Sequence, residues 1–289
     1  FKNAGVGNGW EMAFIIIGAL GFIWMGLWLF VYKKPEENKS VNAAELAYIH
    51  QDDNEEVETE ANNDKEEKKL SILQCLSYRQ AWAVIMGKFL TDGVWWFFLF
   101  WTPAYISDVY GFSSDTATAQ LLIFVLYAIT MFSIYGGKLP TIIINKTGKD
   151  PYAARMKAMF IFALFPLLAL FAQPLGEISY WFPIIIIGIA GAAHQSWSAN
   201  IYTVGSDMFP KSAVATIIGI GGMAGGIGSF LINMGSGLLF DYAGRTNMAF
   251  FGFEGKEAGY FIVFCICAIA YMLAWCIMKA LVPKYKVIK

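Results

Sequence analysis

Apolar residues in this chain fall in continuous blocks of roughly 20, too long and too uniform for the one-sided stripe of a soluble helix. Seven blocks run Trp10–Tyr32, Ala81–Ile106, Ala117–Gly137, Ala158–Gln173, Tyr180–Val204, Ala213–Phe240 and Gly259–Leu281. Most are about long enough to cross the ~30 Å hydrocarbon layer of a bilayer as a helix. The pattern predicts an all-α polytopic membrane protein. Composition agrees: 57% of the 289 residues are hydrophobic, 17% aromatic and only 15% charged, well outside the range of a soluble domain. A net charge of −1 gives no ground for a nucleic-acid partner.

The charges say how the blocks are threaded. Lys and Arg crowd into alternate segments: the loop from Lys33 to Arg79, the stretch from Lys138 to Lys157, Lys211, and the tail Lys284-Tyr285-Lys286. The intervening segments hold little more than Lys2, Arg245 and Lys256. The positive-inside rule puts the first set in the cytoplasm, so the expected topology in the cell's inner membrane has the N-terminus outside and the C-terminus inside. Residues 33–79 form the only long loop. Its acidic middle (Asp52, Asp53, Glu55, Glu56, Glu58, Glu60) has little to bury and is expected to be disordered. Asn42-Ala43-Ala44-Glu45 ahead of Leu46 predicts an N-cap and a short helix. Glycosylation is not expected at the Asn38 and Asn145 acceptor patterns, because both fall on the predicted cytoplasmic side.

The expected organisation is one helix in residues 1–32, a cytoplasmic loop in 33–79 and six helices in 80–289. That count fits the last helix of one half and the whole of the other in a transporter built from two six-helix halves. The chain opens on Phe1, and the first half is read as mostly missing.

Candidate chemistry centres on Gly87–Pro103, GKFLTDGVWWFFLFWTP. Lys88 and Asp92 are four residues apart and share a helix face. Ionisable groups at membrane depth are expensive and mark functional sites. Two readings stay open: a structural ion pair, or a Lys88 that attracts an anionic solute while Asp92 tunes it. Trp95 and Trp96 follow one turn on, where aromatic rings suit the apolar face of a sugar; a lipid-facing or interfacial belt is the alternative for each, and Trp101, nearer the outer surface, fits that belt best. The second constellation is His194-Gln195-Ser196-Trp197-Ser198-Ala199-Asn200. His194, Gln195, Trp197 and Asn200 are its candidate solute contacts, with interhelical hydrogen bonding the alternative for His194 and packing the alternative for Gln195; Ser198 is assigned to packing. Antiparallel threading places both clusters near the bilayer midplane, where transporter sites lie. Gly221/Gly225 and Gly222/Gly226 are small residues four apart that let helices approach closely, and Asn233 and Ser236 read as interhelical glue.

Other chemistries find no foothold. No GxxxxGK[ST], completed GxGxxG, HExxH or GxSxG pattern occurs, and there are two histidines, His50 and His194. No enzyme, cofactor or metal site is expected. Cys75, Cys265, Cys267 and Cys276 read as small packing residues.

The strings GKFLTDGVWWFFLFWTPAYI, GIAGAAHQSWSANIYTVGSDMFP and GIGGMAGGIGSFL resemble the hexuronate transporters of the anion:cation symporter family, within the major facilitator superfamily. Gly18–Trp24 and Ala44–Ile49 resemble its sixth helix and central-loop helix. The resemblance implies a major-facilitator-type fold at helices six to twelve, and proton-coupled uptake of sugar acids such as galacturonate and glucuronate by alternating access. It implies a sugar-acid anion, the lipid bilayer and the missing N-terminal half as partners, with H⁺ as coupling ion and the coupling groups upstream. Two departures stand out. Gly136-Gly137-Lys138-Leu139-Pro140-Thr141 lacks the Asp of the superfamily's gating motif, and Gly93 stands where close relatives have Pro. Another organic anion (aldonate, aldarate or tartrate) is the alternative substrate, and a membrane sensor the alternative class.

Overall fold

A computed structural model of the chain describes residues 10–50 and 70–288. It falls into two compact units, Phe1–Glu67 and Lys68–Lys289, and the acidic stretch Asp52–Glu60 lies outside the described residues.

In the first unit, α1 (Trp10–Val31) is apolar on every side, with mean hydropathy 2.4 and nearly all its side chains exposed. A helix of that kind is built for lipid. A short 3-10 turn (Pro35–Glu37) and α2 (Ala43–Ile49) follow. Asn42 caps α2 as its sequence predicts, its side chain accepting from the Glu45 N–H at 2.8 Å. His50 Nε2 closes on Glu36 Oε1 at 3.0 Å.

The second unit opens with the single turn α3 (Ile72–Leu76), closed by a reciprocal capping box between Ser71 and Gln74. Then come α4 (Arg79–Tyr110), a rod spanning Ala117–Thr147, a rod spanning Pro151–Gly176, α9 (Trp181–Met208), α10 (Lys211–Thr246) and α11 (Gly255–Leu281). The two rods change pitch part-way. The first is α5 (Ala117–Thr130), a 3-10 stretch Met131–Lys138 and α6 (Leu139–Thr147); the second is α7 (Pro151–Leu164), a 3-10 stretch Phe165–Phe171 and α8 (Ala172–Gly176). A proline sits at or beside one end of each 3-10 stretch. Pro140 and Pro166 have no N–H for the carbonyls of Gly136 and Phe162, and the preceding Leu139 and Phe165 N–H groups donate to them instead, tightening the turn.

The helices overrun their apolar blocks, by as much as ten residues at the end of the first rod. Among the described residues six of them, α1 included, are long and apolar enough to cross a membrane. Helix α9 is not in that set although its 28 residues reach about 42 Å, because the polar run His194–Asn200 dilutes its hydropathy. Those polar side chains are mostly buried in the bundle, where a spanning helix can carry them. The chain is an all-α polytopic membrane protein. Among the described residues the one departure is a tiny hairpin between α10 and α11, β1 (Ala249–Phe250) on β2 (Phe253–Glu254), turned by Phe251 and Gly252 at φ 52° and 90°.

Helix α4 is the hub, packed against α10, α11 and α9. Against α10 the approach is backbone-close. A Cβ on Gly228 would run into the Phe89 carbonyl, and one on Gly225 into the Asp92 carboxylate. Gly221 and Gly225 thus pack as their spacing predicts, whereas Gly222 and Gly226 face open space. Gly93 has a structural reason as well, since a Cβ there would sit 3.0 Å from the Gly228 carbonyl oxygen. Further along, Phe97, Phe98, Tyr105, Phe240, Tyr260 and Phe264 interleave edge-to-face or tilted between α4, α10 and α11. Such pairs add about 0.5–1.5 kcal/mol each to the area they bury.

Candidate functional site

Lys88 lies nine residues into α4, about 14 Å along its axis, and Asp92 about 20 Å. Both sit where α4 crosses α10 and α9, and helical spacing turns them to one side. Lys88 Nζ meets Asp92 Oδ2 at 2.8 Å, with the side chains 4% and 13% exposed. The ammonium also reaches Ser198 Oγ at 3.5 Å and lies 4.4 Å from the centre of the Tyr202 ring. The other carboxylate oxygen, Asp92 Oδ1, is buried without a hydrogen-bond partner. Glycines 221 and 225 of α10 pass directly beneath the pair.

One turn further along α4, Trp95 stacks on His194 of α9, ring centres 5.3 Å apart and planes within 3°. His194 Nδ1 lies 2.7 Å from Tyr271 Oη on α11, and that hydroxyl donates to the Thr91 carbonyl at 3.2 Å. This is the interhelical hydrogen bond offered as the alternative for His194. The antiparallel register is consistent throughout: Trp95 meets His194, and Lys88 meets Ser198 and Tyr202 one to two turns on. The two polar clusters do share a depth.

The structure brings together Lys88, Asp92, Trp95 and His194. Trp197 is fully buried behind them, edge-on to Tyr271, with its Nε1 unpartnered. Asn200 is buried too, but its amide nitrogen donates to the Ser196 carbonyl of its own helix at 2.8 Å. Gln195 and Trp96 are exposed, with Trp96 stacked on Phe100, and neither joins the cluster. Trp101 makes interhelical contacts the sequence does not show. It donates from Nε1 to Asn233 Oδ1 at 3.0 Å and packs edge-on against Phe240, so its ring is held between helices as well. Asn233 is therefore interhelical glue, as expected. Ser236 Oγ is buried without a partner.

Sequence reasoning missed Ser198, Tyr202 and Tyr271. The first two carried a signal, since His194, Ser198 and Tyr202 recur every four residues and form the face that meets Lys88. Tyr271 carried none: 77 residues separate it from His194.

Chemically, the cluster offers a buried cation, a carboxylate with an unused oxygen, an imidazole and an indole face, all inside a lipid-facing bundle. Among the described residues no three His, Cys, Asp or Glu side chains gather to hold a metal. Such a set can hold an organic anion and part of its apolar surface. The sequence matches the Major Facilitator Superfamily profile over residues 4–233. The chain belongs to the Major Facilitator Superfamily. It is 32% identical to the hexuronate transporter of Escherichia coli K12 over 243 residues, covering 82% of this chain and 53% of that protein. A galacturonate transporter of Dickeya chrysanthemi is 32% identical over 46% of this chain and 37% of its own length. A D-galactonate transporter of Escherichia coli O6:H1 is 31% identical over 36% of this chain and 25% of its own. The chain spans about half the length of the hexuronate transporter. By their names these relatives are transporters, of hexuronate, galacturonate and D-galactonate.

Proposed function

We propose that this protein is a secondary active transporter that takes up hexuronates such as galacturonate and glucuronate in symport with protons, by alternating access. On this reading residues 80–289 form one six-helix half, residues 1–32 contribute the last helix of the other, and residues 33–79 are the cytoplasmic loop between them. The membrane is the cell's inner membrane, with the C-terminal tail inside.

The observation that carries the reading is Lys88: a lysine 3% exposed, nine residues into a 32-residue spanning helix, with one carboxylate for company. A sugar-acid carboxylate is a second anion for that cation, and the two can exchange. When solute binds, Lys88 turns from Asp92 toward the solute, and Asp92, left without its cation in a dry site, takes up a proton. Trp95, held flat by His194, offers its free face to the ring. His194 and Ser198, with Asn200 on rotation from its own helix, serve hydroxyls; Gln195, Trp96 and Trp197 act at the margin.

The test is a thermal-shift panel on the purified protein with galacturonate, glucuronate, galactonate, glucarate and tartrate, and galactose as neutral control. Hexuronates are expected to stabilise most and galactose not at all. Galactose matching galacturonate would remove the carboxylate from recognition, and a preference for galactonate or glucarate would move the substrate to that class. Uptake that survives collapse of the proton gradient would remove proton coupling.

A further inference from the structure

At the end of the bundle where α4 begins and α11 ends, the C-terminal tail folds back across the turn before α4. Four bonds pin it, three of them through its backbone. Tyr152 Oη donates to the Val282 carbonyl at 2.5 Å and Gln80 Nε2 to that of Lys286 at 3.3 Å; the Ile288 N–H donates to the Met208 carbonyl at 2.9 Å, and Tyr285 Oη to that of Asp207 at 2.8 Å. Ile288 is buried, 6% exposed, so the tail is a packed part of the fold.

Between the tail and the Ser77–Gln80 turn lies an open cavity of about 970 Å³. Arg79, Lys284 and Lys286 line it, all three exposed, and no Asp or Glu is among its lining residues. The nearby Asp207 is taken, its Oδ2 accepting from Arg155 Nε at 3.0 Å. Three cations therefore line one cavity with no acidic side chain among the described lining residues. On the helices that flank this turn lie exposed apolar side chains: Ile72 and Leu73 of α3 are 55% and 80% exposed, and Trp82 is 45% exposed. Trp82 Nε1 donates to the Leu76 carbonyl at 2.9 Å, which holds its ring at the turn. Since α4 enters the membrane from here, the cavity lies at the membrane–water boundary, where Trp rings and lysines settle.

We propose that this cavity is a binding site for the headgroup of an acidic phospholipid, its phosphate held by Arg79, Lys284 and Lys286 and its acyl chains laid over Ile72, Leu73 and Trp82. Charge complementarity selects an anion, and the exposed apolar side chains on the two helices that flank the Ser77–Gln80 turn select a lipid over a soluble phosphate. The bound lipid clamps the tail to the start of α4, and so to the helix that carries Lys88.

Native mass spectrometry of the purified protein in detergent, titrated with phosphatidylglycerol or phosphatidylcholine, tests this. Phosphatidylglycerol is expected to bind and phosphatidylcholine not. At about 1 kcal/mol per cation near an anionic surface, the triple variant Arg79→Gln, Lys284→Gln, Lys286→Gln is expected to bind about 100-fold more weakly. Lys284→Arg with Lys286→Arg keeps the affinity. Lys138→Gln, Lys146→Gln, Lys149→Gln removes the same charge elsewhere and leaves binding unchanged. Equal loss in both triple variants, or equal binding of phosphatidylcholine, would overturn the proposal. So would full displacement by glycerol phosphate at matched concentration, which assigns a soluble anion. Binding seen only after neutralising the acidic residues from Asp52 to Glu60 would give the cavity to the chain's own acidic segment.

Discussion

Breaking the Lys88–Asp92 pair from either side is predicted to destabilise the bundle far more than removing both partners together. In Asp92→Asn the ammonium loses the anion 2.8 Å away and keeps only Ser198 Oγ at 3.5 Å and the Tyr202 ring at 4.4 Å. Orphaning one member of a buried pair costs about 3–5 kcal/mol; the ammonium keeps its ring contact, so the lower end, about 3 kcal/mol, is expected. In Lys88→Met the carboxylate is orphaned, with Asp92 Oδ1 already unpartnered and Gly225 against it. No ring offsets that loss, and about 3–5 kcal/mol is expected. The double variant Lys88→Met, Asp92→Asn carries no net buried charge and should unfold within about 1 kcal/mol of the parent. The assay is a double-mutant cycle: unfolding in mixed micelles by added sodium dodecyl sulfate, followed by circular dichroism, on parent, both single variants and the double. A coupling energy above about 2 kcal/mol in favour of the pair is expected. A value below about 0.5 kcal/mol, typical of exposed ion pairs, would refute the claim that this pair is a desolvated unit.

Two further outcomes follow from the same packing. Gly228→Ala places a Cβ against the Phe89 carbonyl and should cost about 1–3 kcal/mol by overpacking, while Gly226→Ala, which meets nothing within 4 Å, should be neutral or slightly stabilising; thermal unfolding of both in one detergent checks the contrast. Tyr271 Oη bridges His194 Nδ1 and the Thr91 carbonyl, and the arrangement that satisfies both bonds has His194 donate from Nδ1. Nitrogen-15 spectra of histidine-labelled protein, assigned with His50→Gln, should show the Nδ1–H tautomer and its loss in Tyr271→Phe; the Nε2–H form in the parent would contradict that chain.

Much of this architecture is legible from the sequence because the bilayer imposes one solution, the helix, on every long apolar block. The Lys88–Asp92 contact was equally legible, since i,i+4 spacing is local geometry. What resisted was anything set by a distant helix. Trp101 reads as an interfacial ring, with nothing to show that Asn233 lies beside it, 132 residues on. Gly221 and Gly222 look alike in the sequence, and only the position of α4 makes one a contact and leaves the other open. The 3-10 stretches were foreshadowed by Pro140 and Pro166, but hydrophobicity runs through them unbroken, so a reading by hydropathy passes over them. Ser198 was assigned to packing because a lone serine in a spanning helix bonds its own backbone cheaply; its place on the His194–Tyr202 ladder was the better guide.

The central claim, that Lys88 holds the solute carboxylate, is met most directly by uptake of labelled galacturonate in cells expressing the protein with Lys88→Met, Asp92→Asn, the variant whose buried charges are balanced. Loss of uptake at parental levels of folded protein in the membrane is the result predicted here; undiminished uptake would contradict the assignment of Lys88 to the substrate.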